Sequence, residues 1–150
     1  MTRNVTRQDT SSTVRGWLLV AAGFLGMLPV WGALVSQYVD ARDAYTDCAA
    51  DAPTGATLVG DTYRFAVERT SFPAGRQCIY DMQDGTLVTT QSGWTPTIWA
   101  IAGTVVCVAA VVVIWLLWRR TAAMQRLLVH VALVFAALGW VSIAWFASLG

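Results

Sequence analysis

Three stretches of this chain, residues 16–39, 97–118 and 127–149, contain no Asp, Glu, Lys or Arg. An α-helix rises about 1.5 Å per residue, so roughly 20 consecutive apolar residues cross the hydrocarbon of a bilayer. Each stretch is that long. The rest of the composition agrees: 56% of residues are hydrophobic and only 13% charged, where a soluble domain carries about 25% charged residues. The chain is therefore expected to be a membrane protein, mainly α, with three transmembrane helices.

The ends of the stretches carry amphipathic rings suited to the membrane interface. Trp17 and Tyr38 bracket the first, Trp94 and Trp99 open the second, and Trp115 and Trp118 close it. Pro29 lies inside the first span. It removes one backbone bond and crowds the carbonyl of Leu25, which predicts a kink. Small residues mark candidate helix-packing faces: Ala22 and Gly26 in the first span, Ala100 with Thr104 and Gly103 with Cys107 in the second. In the third they are Ala132, Ala136, Ala144 and Ser148, interrupted by Trp140. Val39 and Ala41 resemble a signal-peptide cleavage site, but a signal core is only about 7–15 residues long. The first span is longer, and it is expected to be retained.

Placement of Arg gives the orientation. There is no Lys. The polar tail, residues 1–15, holds Arg3, Arg7 and Arg15, and the turn 119–126 holds Arg119, Arg120 and Arg126 with no acid. Segment 40–96 holds four Arg against eight of the nine acids. Basic residues beside helix ends stay on the cytoplasmic side. The expectation is a mobile cytoplasmic tail, a cytoplasmic turn, and an extracytoplasmic domain 40–96, with the C-terminus also outside. The absence of Lys and the abundance of Ala, Val and Gly suggest a GC-rich bacterial genome, hence a bacterial cytoplasmic membrane.

Segment 40–96 reads as a small disulfide-bonded, β-rich extracytoplasmic domain between helices 1 and 2. Cys48 and Cys78 both lie in it, and outside the cytoplasm thiols are held oxidised. Two cysteines allow one internal bond. Closing a loop of about thirty residues stabilises by roughly 3.5–4 kcal/mol in the chain-entropy account. Cys107, in the middle of the second span, reads as a small buried side chain. The first helix is expected to continue through DARDAYTDCAADAP as far as Pro53. Asp40, Asp43, Asp47 and Asp51 then share a helical face. Such a face is a candidate for a hard cation, set against the simpler role of solvating a helix that leaves the membrane. Tyr63, Phe65 and Val67 alternate with polar residues, as in a half-buried strand. Gln77–Met82 and Thr86–Gln91 flank Gln83-Asp84-Gly85, a hairpin signal. With Leu58–Gly60 this predicts one sheet of three or four short strands. Tyr63, Phe65, Tyr80 and Trp94 read as its core in preference to a ligand cleft.

Chemistry is sparse. A nucleophile needs a base, and a metal needs three or four ligands. His130, the chain's one histidine, sits in the third span about one turn from the interface. It is the candidate intramembrane polar site, although a neutral imidazole bonded to nearby backbone accounts for it more simply. No acid lies inside a span, which argues against a carboxylate proton relay. A net charge of +1 argues against nucleic acid. The expected function is a non-catalytic accessory or scaffold subunit of a larger membrane complex, with no cofactor and no metal. Its partners would be the lipid bilayer and other membrane subunits, or further copies of itself. Two other readings are an extracytoplasmic module that senses a ligand or gives toxin immunity, and a small membrane enzyme or carrier using His130 and the loop carboxylates.

Overall fold

The computed structural model describes residues 3–149, with side chains from Thr13 to Leu149. Three helices dominate: α1 (Arg3–Ala50), α2 (Trp94–Leu116) and α3 (Ala123–Ser148). All three are long and apolar enough to cross a membrane. Their outer faces are apolar too: Leu18, Leu25 and Val35 on α1, Val105 and Leu116 on α2, and Val141 and Trp145 on α3 are all exposed. So much continuous apolar surface is incompatible with water and suits a lipid environment.

Helix α1 is longer than the apolar run at both ends. It begins at Arg3, so the backbone of 3–15 is helical where a mobile tail was expected; Met1 and Thr2 lie outside the described residues. The segment holds neither Gly nor Pro before Gly16, and a helix propagates readily back from an established core. Pro29 does not end the helix. At the far end α1 stops at Ala50, just short of Pro53, whose ring disfavours the α conformation in the residue before it.

The chain divides into two compact units, Met1–Trp31 with Trp99–Trp140, and Gly32–Ile98 with Val141–Gly150. In the first unit the helices pack along seams spaced three and four residues apart. Gly16, Val20, Gly23, Gly26 and Val30 are buried on α1, Gly103, Cys107, Ala110 and Ile114 on α2, and Val129, Ala132, Ala136 and Gly139 on α3. This alternation is the period of a left-handed bundle. The packing-face residues read from pairs four apart fall unevenly on these seams. Gly26, Gly103, Cys107, Ala132 and Ala136 lie on the seams, but Ala22 is only half-buried beside buried Gly23, and Ala144 and Ser148 are exposed. A strict spacing of four drifts around a helix with 3.6 residues per turn, so it leaves the seam after two or three steps.

The tightest crossing joins α1 to α2. A Cβ on Gly103 would collide with the Gly26 carbonyl oxygen and lie 3.1 Å from Pro29 Cγ. A Cβ on Gly26 would meet the Gly103 carbonyl at 2.7 Å. Backbone cannot swing aside as a side chain can. Gly103→Ala is therefore expected to destabilise the bundle by about 1–3 kcal/mol, the usual cost of overpacking. Unfolding of the purified chain in mixed micelles measures it, and a variant as stable as the parent would show that the helices do not cross there.

Two polar links reinforce this unit. The Cys107 thiol donates to the Gly23 carbonyl at 3.1 Å, so the buried cysteine is also a donor. Trp140 Nε1 donates to Thr104 Oγ1 at 2.9 Å, and Thr104 donates to the Ala100 carbonyl at 2.8 Å. Such interhelical bonds contribute about 0.6 kcal/mol each in membranes.

The second unit contains two antiparallel sheets rather than one. Strands β1 (Leu58–Val59) and β2 (Thr62–Tyr63) pair through Leu58↔Tyr63 and Val59↔Thr62. Strands β3 (Phe65–Ser71), β4 (Ala74–Asp81) and β5 (Leu87–Gln91) form the larger sheet in that order. Gly60-Asp61 turns the small hairpin, with Gly60 at φ +67°, and Arg64 separates β2 from β3. The β4–β5 hairpin closes at the expected Gln83-Asp84-Gly85, where Gly85 takes φ +81°.

Asp84 fastens that last turn. Its Oδ1 accepts the Thr86 hydroxyl at 2.7 Å and the Thr86 amide at 2.9 Å. These bonds, the hydroxyl first, favour the carboxylate and hold Asp84 below the ordinary aspartate value. A depressed folded-state pKa contributes stability above the unfolded value, and loses it as pH falls through the lower folded one. The turn should therefore be intact at about pH 5 and loosen only below about pH 3.9. The Thr86 amide shift, followed by NMR through that range, tests this; an unchanged shift, or one that moves well above it, would contradict the bonds.

Candidate functional site

The most elaborate side-chain arrangement lies where the larger sheet meets the end of α1. Alternation along β4 turns Ala74, Arg76, Cys78 and Tyr80 inward, and all four are buried. Each of the last three reaches α1. Cys78 is disulfide-bonded to Cys48, with Cα atoms 5.9 Å apart, as the two cysteines predicted. Tyr80, fully buried, donates its hydroxyl to the Cys48 carbonyl at 2.8 Å. Near the end of a helix, carbonyls lack an intrahelical donor, and Tyr80 supplies one.

Arg76 is the unexpected member. Its side chain is 10% exposed, with Nη1 2.5 Å from Asp47 Oδ2 and Nη2 3.5 Å from Asp51 Oδ2. The carboxylates are 47% and 66% exposed, so the pair is half-desolvated, with the cation inside and the anions at the rim. Its neighbours complete the junction. The Arg76 amide donates to Ser92 Oγ at 3.0 Å, and Ser92 donates to Asp40 Oδ2 at 2.9 Å. The four-aspartate face is thus put to structural use at Asp40, Asp47 and Asp51, while Asp43 stays exposed. Among the described residues no group of three or more His, Cys, Asp or Glu side chains is placed to hold a metal ion.

Below the sheet, Gln37 is almost fully buried in α1 and donates to the Thr70 carbonyl at 2.9 Å. Thr97, at the start of α2, accepts from the Ala74 amide at 2.8 Å and donates to the Gly93 carbonyl at 2.7 Å. Gly93 has φ +89°, and a Cβ there would strike the Ala74 carbonyl. Phe65 packs against Tyr80 and Tyr45, with ring centroids 5.9 and 5.0 Å apart. The aromatic quartet divides: Tyr80 and Phe65 belong to the packed face, whereas Tyr63 and Trp94 are exposed. Trp94 meets Phe72 edge-on at 5.9 Å.

At the other candidate, His130, both ring nitrogens are engaged. Nδ1 lies 2.6 Å from the Arg126 carbonyl, and Nε2 lies 3.0 Å from Trp115 Nε1. An indole nitrogen can only donate and a carbonyl can only accept. The ring is therefore the neutral tautomer with its proton on Nδ1. Both nitrogens are occupied by these bonds, and the residue orients Trp115.

Sequence reasoning passed over Gln37, Ser92 and Thr97, and took Arg76, with Arg64 and Arg69, only as an exposed partner for the acids of this segment. Gln37 had a signal, as the one long polar side chain late in the first apolar run. The pairing of Arg76 with acids was legible from charge, but its burial was not, since only register places it on the inward face. Comparison with protein-family models, curated proteins and solved structures found nothing that this chain matches.

Proposed function

We propose that this chain is a non-catalytic accessory or scaffold subunit of a membrane complex, presenting a small stiff domain outside a bacterial cytoplasmic membrane. The observation that carries this reading is the junction just described. One disulfide, one buried cation and the Tyr80 hydroxyl, all on one strand, fix the sheet to the end of α1. Scaffolding requires such a join, because a flexibly tethered domain loses interface energy to ordering. The domain also carries an exposed apolar hairpin, with Leu58 54%, Val59 60% and Tyr63 38% exposed. Apolar residues grouped on so small a sheet fit contact with another protein. The N-terminus and the α2–α3 turn would face the cytoplasm, by the Arg distribution.

Gentle purification from the native host, with mass spectrometry of what accompanies the chain, tests the reading. A stoichiometric membrane partner that is lost in a Leu58→Ser/Val59→Ser variant is the expected result. A monodisperse monomer, reproducibly without partners, would overturn it and favour the ligand-binding or immunity reading of the outer domain. For orientation, a cysteine placed at Gln83 should react with a membrane-impermeant maleimide in intact cells, and one at Met124 should not; the reverse pattern would invert the topology.

A further inference from the structure

We propose that the turn between α2 and α3 is a binding site for the headgroup of an anionic phospholipid. A short 3-10 turn, Trp118–Arg120, follows α2, and α3 starts at Ala123. Two clefts, about 500 and 540 Å³, open here on either side of Trp118. One is lined by Trp115, Arg126, Leu127 and His130, and the other by Leu116, Arg119 and Arg120. Between them they gather three guanidinium groups. The last acid in the sequence is Asp84, so nothing on α2, the turn or α3 can neutralise them. No ion pair to Arg119, Arg120 or Arg126 occurs among the described residues.

One of the three, Arg126, is held in place. The Arg126 guanidinium lies 3.8 Å from the Trp118 ring centroid, and its buried Nε has no hydrogen-bond partner among the described residues. Trp118 stacks on Trp115 at 4.8 Å, and Trp115 donates to His130. Gln125 locks the turn itself, accepting from the Ala122 amide at 3.1 Å and donating to the Thr13 carbonyl at 3.1 Å. A stacked, pre-ordered guanidinium binds phosphate bidentately with less entropy lost on binding.

A lipid is the occupant rather than soluble phosphate because the clefts open between apolar side chains. Leu116 is 79% exposed and Leu127 60%, where acyl chains would lie while the phosphate meets the arginines. Trp115 and Trp118, exposed at the end of the apolar helix, are the amphipathic rings that prefer the headgroup level. Basic pockets between spanning helices are the usual form of anionic-lipid sites.

The test is native mass spectrometry of the full chain, delipidated in mild detergent and titrated with phosphatidylglycerol or phosphatidylcholine of matched acyl chains. Preferential retention of phosphatidylglycerol is expected, falling about fivefold for each Arg→Gln substitution at 119, 120 or 126. Arg126→Lys should also weaken it, since the charge remains but the planar stack is lost. Arg64→Gln, on the outer sheet, should change nothing. Equal retention of both lipids, or a preference surviving in the triple Gln variant, would overturn the proposal. So would inorganic phosphate displacing the lipid at matched concentration, which would indicate a site for soluble phosphate. If the triple variant does not fold, salt decides with the unaltered protein. A preference that persists undiminished from about 0.05 to about 0.5 M salt is not carried by these charges.

Discussion

Tyr80→Ala is expected to lower the stability of the sheet domain by about 3–5 kcal/mol, the usual cost of deleting a fully buried aromatic ring. Tyr80 has no exposed surface. It sits in the core cluster with Cys48 and Cys78, against Phe65, Val67 and Met82. Removing it opens a cavity between the sheet and the end of α1, and strands the Cys48 carbonyl. Small domains have only a few kcal/mol in hand, so the sheet should come away from α1 without disturbing the helices of the first unit. Tyr80→Phe separates the two contributions, because it keeps the ring and loses only the hydroxyl bond, about 1 kcal/mol. Trypsin gives a direct readout, since the cleavage sites in the larger sheet are Arg69 and Arg76, with Arg64 just before it. Rapid cutting at Arg69 in Tyr80→Ala, slow cutting in Tyr80→Phe and none in the parent is the expected order. A Tyr80→Ala protein as resistant as the parent would mean that this face of β4 is not packed as described.

Opening the disulfide should have a comparable effect. Cys48→Ala releases a loop of sequence separation 30, and loop entropy assigns the closure roughly 3.5 kcal/mol. The effect acts chiefly on the unfolded domain, so the reduced native state keeps the Arg76–Asp47 pair and the Tyr80 bond. The domain should then remain folded but open far more often. Denaturant titration of the full chain with and without reductant measures this, with Cys48→Ala reproducing the reduced protein. The two perturbations share neighbours, so their costs should not add. A reduced protein with an unshifted transition would show that the sheet domain is held by packing alone.

The site residues separate into those visible in the chain and those fixed by pairing. Cys48 and Cys78 were legible because two cysteines in one polar segment between apolar runs have a single internal pairing. The β4–β5 turn was legible because Asp-Gly accepts a conformation that few other pairs do. The aspartates were legible as a helical face, but their purpose was not. Nothing in their spacing says that a guanidinium twenty-five residues beyond Asp51 will be turned toward them. That depends on the register of β3 against β4, and a slip of one residue would point Arg76 at solvent and Gln77 inward. The helix seams were legible only in part for a related reason. Small pairs four apart are easy to see, but the choice between Ala22 and Gly23 belongs to the partner helices.

By itself the sequence determined that three helices form and that each is long enough to span a bilayer, because apolar length is a local property. It determined the disulfide as well. Tertiary structure decided that Arg76 is buried, that Gly26 and Gly103 lie at a backbone crossing, and that Trp118 holds Arg126. Each of these depends on which residue a distant segment brings alongside, and pairwise proximity is set by packing and register, which no local pattern encodes.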